Sequence, residues 1–320
     1  MRRLLLTLLV LAAWCSPAVA QDWPSKPIKF VVPFAAGGAT DVLTRLLCEQ
    51  LGAELKVPCV VENKGGAGGN VGGQAVATAP PDGYTFLVSA PGVLAYNKIL
   101  YREMPFDPDK DLDPICLYAF QPNVLVVNPA LPVKSVKQLI EYAKANPRKL
   151  NYASGGVGST SHVAGELFKT MAGLEWQHVP YRGTGPSLVD LLAGQVQLTI
   201  DNLPAILPQI RSGGVRALAI STAERWPALP DLPTIAEAGL PGYAAISWQM
   251  VAAPAGTPRP IIDRLSAAVT KASADPAFKA KVAETGAATA GGTVDEARAF
   301  VKAEAVKWRE VVLKSGAKAD

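Results

Sequence analysis

The chain has 320 residues, 49% hydrophobic, 18% charged and 7% aromatic; that much apolar material supports a packed core and excludes a disordered or collagen-like polymer. Its 28 glycines and 27 prolines fall between apolar segments without a fixed period, so they read as turns, and the length suggests two domains. The formal charge of +4 is small and the basic residues are scattered without interleaved aromatics, which argues against a nucleic-acid groove or a polybasic membrane patch and leaves a small molecule as the expected partner.

Residues 1–20 read as a secretory signal. Met1-Arg2-Arg3 is a basic head, Leu4 to Trp14 an apolar stretch, and Ala18-Val19-Ala20 a small-residue cleavage site, so the mature chain is expected to begin at Gln21. The apolar stretch is too short for a hydrocarbon core of about 30 Å. Cys15 would suit lipid attachment, but bulky Trp14 stands where such signals need a small residue, so soluble export is expected.

In chain order, strand-like apolar runs occupy Ile28–Val32, Cys59–Glu62, Tyr84–Ser89, Asn123–Asn128, Leu150–Ala153, Val196–Ile200 and Val215–Ser221. Helical spacing of apolar residues covers Thr40–Leu55, Ser135–Ala145, Ser161–Met171, Ser187–Ala193, Pro260–Ala274 and Val294–Leu313. Strand and helix alternate, which predicts an α/β fold with parallel sheet. Three cysteines remain after processing. Cys48 and Cys59 are close enough to bridge after one turn, or all three serve as small buried apolar residues; Cys116, in an apolar run, would be the unpaired one.

One internal resemblance stands out. Ile28–Gly38 runs into the helix at Thr40, and Leu150–Gly158 runs into the helix at Ser161; each is a strand, a glycine turn and a helix N-terminus. Such a turn lets the backbone approach a ligand, and the free N–H groups at the positive end of the helix form an anion site. For one loop alone, the glycines need do no more than permit the turn. Two loops, one per half, suggest a single anion held from both sides.

Other chemistry finds little support. No G-x-x-x-x-G-K-[ST] exists, and Gly66-Ala67-Gly68-Gly69-Asn70-Val71 lacks the last glycine of a dinucleotide fingerprint. His162 and His178 form no metal-ligand spacing, so neither cofactor nor metal is expected. A serine hydrolase would have to use Ser159 or Ser161 with His162, without a G-x-S-x-G turn; helix capping explains Ser159, Thr160 and Ser161 as well. Asp41 lies in the first turn of its helix, where capping is its default role. Asp201 ends a strand, where open α/β sheets bind ligands, and divides between pocket and turn stabilisation.

Several segments together resemble the Bug family, the periplasmic solute receptors of tripartite tricarboxylate transporters. They are Trp23-Pro24-Ser25-Lys26-Pro27-Ile28, Pro33 through Asp41, Val61-Glu62-Asn63-Lys64 with Gly66–Asn70, and Pro81-Asp82-Gly83-Tyr84-Thr85. The likeness continues through Asn151–Ser154, His162 with Gly165–Phe168, His178–Gly183, Asp201–Pro204, Leu229–Thr234 and Ala253–Pro258, nearly the whole mature chain. The resemblance implies a type II periplasmic-binding-protein fold with a ligand cleft between two lobes. Residues 21–122 and 245–320 would form lobe 1 and residues 123–244 lobe 2, with crossings near Gln121–Asn123 and Gly242–Ser247. It also implies that a ligand carboxylate is held by Phe34, Ala35, Ala36, Gly37 and Gly38 on one side and by Gly158, Ser159, Thr160, Ser161 and His162 on the other, with ordered water. Tyr181 and Asp201 are added as binding candidates, and Tyr96, Asn97, Arg182, Trp248 and Gln249 as lining. The chain departs from the family pattern at Ala39, commonly glycine, and at Gly155, Val157 and Ser159, commonly Ser, Asn and Thr, which bears on ligand choice. Cys48 and Cys59 replace residues that are commonly not cysteine, which favours the bridge.

The expected function is therefore a monomeric periplasmic receptor that binds a small organic carboxylate and delivers it to a separately encoded membrane permease, with no catalysis. A carboxylate sensor working through a signalling kinase and a secreted serine hydrolase are the alternatives.

Overall fold

The computed structural model describes residues 23–319; the signal segment lies outside the described residues. In chain order the elements are β1 (Ile28–Val32), α1 (Ala39–Leu55), β2 (Cys59–Asn63), α2 (Asn70–Ala77), β3 (Thr85–Ser89), α3 (Asn97–Leu100), α4 (Pro108–Asp111) and β4 (Leu112–Val127). There follow α5 (Val136–Ala145), β5 (Asn151–Ser154), α6 (Thr160–Ala172), β6 (Gln177–Pro180), α7 (Thr184–Leu192), β7 (Leu198–Asn202), α8 (Leu203–Ser212) and β8 (Arg216–Ile220). The chain ends with β9 (Ile246–Pro254), α9 (Arg259–Ala274), α10 (Pro276–Glu284), β10 (Ala288–Thr289) and α11 (Val294–Ser315).

The sheet order β2-β1-β3-β9-β4-β7-β5-β6 contains two parallel groups, β1–β3 and β5–β7, tied together by β4 and β9. From Leu112 to Pro122, β4 runs antiparallel to β9; from Asn123 onward it pairs with β7 and β8. The result is the expected α/β fold of two lobes, each with its own core. Phe30, Leu43, Leu47, Phe86 and Val269 pack in one, and Leu125, Leu139, Phe168, Trp176 and Ile200 in the other.

The expected strand at Asn123–Asn128 is the second half of a sixteen-residue strand. Pro114 and Pro122 disguise the first half in sequence; Pro114 sits beside a register shift and Pro122 where β4 changes partners, places at which a strand tolerates proline. β9 escaped the periodicity because Ser247 through Pro254 are buried on both faces, so its side chains do not alternate in polarity. α8 is hidden by its prolines, yet Pro204 lies in its first turn, where the missing N–H costs nothing.

Gly72 and Gly73 also concealed α2. They are small because the helix is pressed against the lobe: a Cβ on Gly72 would lie 2.7 Å from Pro33 Cβ and 2.9 Å from Lys64 O. Helix propensity alone would reward Gly72→Ala by about 1 kcal/mol, but the overlap with backbone should reverse the sign and give a net loss of about 1 to 3 kcal/mol. Urea unfolding checks this; a more stable variant would contradict the packing.

Candidate functional site

The carboxyl ends of β1, β3, β5 and β7 meet at a cavity between the two parallel groups. Phe34, Gly38, Ala39, Thr40 and Ala90 line it from the first lobe; Gly155, Ser159, Thr160, Ser161, Thr184, Asp201 and Asn202 line it from the second. Its volume is about 20 Å³, room for roughly one water molecule. No lysine, arginine or histidine is among these residues. The helices α1, α6 and α7 all begin here, and the first amides of a helix lack intrahelical acceptors and stand at the positive end of its dipole.

The two expected loops build this end-on arrangement differently. α1 is capped by Gly38, which offers no side chain to accept from the helix. Asp41 turns back instead: its carboxylate accepts from Gly37 N at 3.0 Å, from Asn63 Nδ2 at 3.0 Å and from Arg45. Burial would push Asp41 up, but Arg45, the Gly37 amide and Asn63 outweigh it and hold the carboxyl below its ordinary value. Asp41 is thus neutralised outside the cavity.

In α6, Ser159 is the N-cap, with Oγ accepting from His162 N at 3.2 Å and donating to Gly156 O at 2.7 Å. Ser161 Oγ accepts from Gly155 N at 2.9 Å and pins the preceding turn. Thr160 Oγ1 accepts from Asn202 Nδ2 at 3.2 Å. Asp201 is fully buried, taking hydrogen bonds from Thr184 Oγ1 at 2.9 Å and Asn202 N at 2.7 Å. Burial raises its pKa, and the surrounding donors only partly offset this; protonation would weaken the repulsion met by an incoming anion.

Of the twelve sequence candidates, Phe34, Gly38, Ser159, Thr160, Ser161 and Asp201 come together at the cavity, and the other six lie off it. Ala36 and Gly37 are exposed on the turn, and Ala35 N donates to Arg182 O at 3.1 Å across the cleft. Gly158 N donates to His162 Nδ1 at 3.3 Å. Tyr181 OH donates to Asp190 at 2.6 Å and borders, with Arg182 and Tyr101, an outer chamber of about 550 Å³ that shares Phe34 and Gly155 with the cavity. Tyr101 OH donates to Val157 O at 2.7 Å, a second contact holding the cleft shut.

The further lining candidates do structural work. Tyr96 packs on Trp308, Trp248 Nε1 donates to Glu304, and Asn97 Nδ2 donates to Gly68 O and Asn70 Oδ1. Gln249 stands behind the wall and donates to Thr40 Oγ1 at 3.1 Å.

Comparison with known proteins shows the family. The profile described as "Tripartite tricarboxylate transporter family receptor" matches residues 43–317. The chain belongs to this receptor family. It is 40% identical to BugT of Bordetella pertussis over 96% of this chain and 94% of that protein. Among solved structures it is similar to an R. palustris protein determined with adipate, at 45% identity and a TM-score of 0.90, covering 92% of this chain and 99% of the other. MatC from Rhodopseudomonas palustris, determined with bound malate, matches at 35% identity and a TM-score of 0.86, covering 91% and 100%.

In this receptor the histidines form a stack behind the second loop. Their ring centroids are 4.3 Å apart; His178 continues onto Tyr152, and its Nε2 lies 2.6 Å from Ser154 Oγ. Neither Ser159 nor Ser161 has a histidine ring nitrogen among its hydrogen-bond partners, so the dyad considered from sequence does not form. Sequence reasoning missed Thr184 and Asn202 as lining, although Asn202 directly follows the flagged Asp201.

Burial lowers His162 to about 4 and His178 to about 3, so both are neutral near pH 7. Their unfolded value is about 6.5, and the unfolded chain therefore binds more protons below it. This stability is complete above about pH 6.5 and is lost as pH falls toward the folded values, with a slope approaching 1.4 kcal/mol per pH unit for each ring. Unfolding measured from pH 7.5 to 5 should show a shallower loss in His178→Gln than in the unmodified receptor; parallel slopes would contradict the neutral stack.

Proposed function

We propose that this chain is an exported periplasmic receptor that binds a small organic carboxylate in the cleft and delivers it to a separate membrane permease. The observation that carries the reading is a buried cavity facing three helix N-termini and lined by no basic side chain. Such a site suits one carboxylate oxygen pair, satisfied by backbone amides and hydroxyls. Homologous proteins solved with adipate and malate support the ligand class. Among the described residues no helix is long and apolar enough to cross a membrane.

The lobes divide at the partner change in β4 and at the start of β9, giving residues 23–122 with 245–319, and 123–244. Among the described residues only two chain segments cross there, so the lobes can hinge. A cavity of about 20 Å³ cannot admit a dicarboxylate without opening; the acid then favours the state in which both loops touch it.

A thermal-shift and calorimetric screen of mono-, di- and tricarboxylates, with recovery of each acid by mass spectrometry, tests this. At a hundredfold excess over Kd, a true ligand adds about 2.7 kcal/mol and should raise the melting temperature by several degrees, and it should be recovered unaltered. Gly155→Val should fill the cavity, since the Cβ position has ordinary 3.6 Å contacts, and should weaken binding at least tenfold (about 1.4 kcal/mol) while leaving the empty protein folded. No response to any acid, or turnover of one, would overturn the reading.

A further inference from the structure

Cys48 and Cys59 have no part in the cleft, yet the fold brings them together. Cys48 is buried on the face of α1 that covers the sheet, and Cys59 opens β2, the outermost strand. One turn beyond Cys48, a Cβ on Gly52 would lie 3.5 Å from Val57 O and 4.0 Å from Cys59 N, so this part of the helix rests directly on the backbone that carries Cys59. Cys48 is part of the buried core of the first lobe, and Cys59 packs against that same core. Both are free thiols in this structure. Cys116 has other partners: its sulfur lies 3.5 Å from Thr270 Oγ1 and 3.6 Å from Gly292 O.

We propose that Cys48 and Cys59 are a redox pair that closes to a disulfide in the exported protein, fastening the later turns of α1 to the edge of the sheet. The oxidant is a disulfide-bearing thiol oxidase or a small-molecule disulfide. Cys59 is the more exposed thiol, and the neighbouring Cys48 holds it below the ordinary thiol value. Its thiolate attacks one sulfur of the oxidant and expels the other as a thiolate, forming a mixed disulfide. Cys48 then loses its proton, attacks Cys59 Sγ and expels the remaining oxidant thiolate. Two protein thiols give up two electrons and two protons, and the oxidant disulfide becomes two thiols. The bridge closes a short loop at the far end of the helix whose N-terminus lines the cavity, so it would stiffen that helix against the sheet during cleft opening.

The test uses the purified mature chain, fully reduced and then exposed to oxidised glutathione, with thiols trapped by alkylation and mapped by mass spectrometry. It requires neither export nor a ligand, so its failure is separate from failure of the receptor reading. The expected product carries a Cys48–Cys59 cross-linked peptide with Cys116 still alkylated, and reduction lowers its melting temperature by about 4 to 8 °C. In Cys48→Ser the same treatment should leave a glutathione adduct on Cys59, whereas Cys59→Ser should leave Cys48 unmodified. Cys48 and Cys59 both remaining as thiols or separate adducts in the unmodified chain, or a bridge to Cys116, would overturn the proposal.

Discussion

The cleft is organised around one electrostatic constraint: a cavity with no cationic side chain can hold an anion only if backbone dipoles and uncharged side-chain donors point into it. Each helix N-terminus contributes about 0.3 to 1 kcal/mol toward a nearby negative charge, more when partly buried, and each hydrogen bond to a charged group contributes about 1.5 to 3 kcal/mol. No single helix suffices, so the fold aims three at the same point. The same constraint explains Asp41: a free carboxylate in the first turn of α1 would compete with the ligand, and Arg45, Asn63 and the Gly37 amide keep it occupied.

Holding those helix ends together requires that backbones from opposite lobes meet closely. Gly183 shows how this is met. It has a φ of 143°, and a Cβ there would lie 2.9 Å from Ala35 N, so any larger residue would wedge open the contact through which Ala35 reaches Arg182 O. A second brace lies away from the cleft. α11 starts against the first lobe at Val294, Ala297 and Val301, and its far end packs Trp308 and Val312 beside Tyr96 and Val163. Thr170 of α6 donates to Ser315 O at 2.8 Å, so this helix ties the second lobe to the first.

The strand–loop–helix pair was legible in the sequence because its causes are local. An apolar run, a glycine turn and a capping residue all fall within about twenty positions, and both copies fold as read. β9 was not legible, since burial on both faces erases the alternation that marks a strand, and Pro114 and Pro122 hid the first half of β4. At the site, Ser159 could be read as a cap from its place before a helix. His162 could not be placed from its neighbours, because its ring turns back behind the loop, where it accepts from Gly158 N and stacks on His178. Thr184 and the Gln249–Thr40 bond arise from long-range packing, which leaves no local signal.

The most direct test of the central claim is a crystal structure of the mature protein with a carboxylate that raises its melting temperature. The account predicts one carboxyl group within hydrogen-bonding distance of the opening amides of both α1 and α6, beside Thr40 and Thr160, with the rest of the molecule directed toward the outer chamber. A carboxylate held instead by Arg182 in that chamber, with the inner cavity filled only by water, would contradict it.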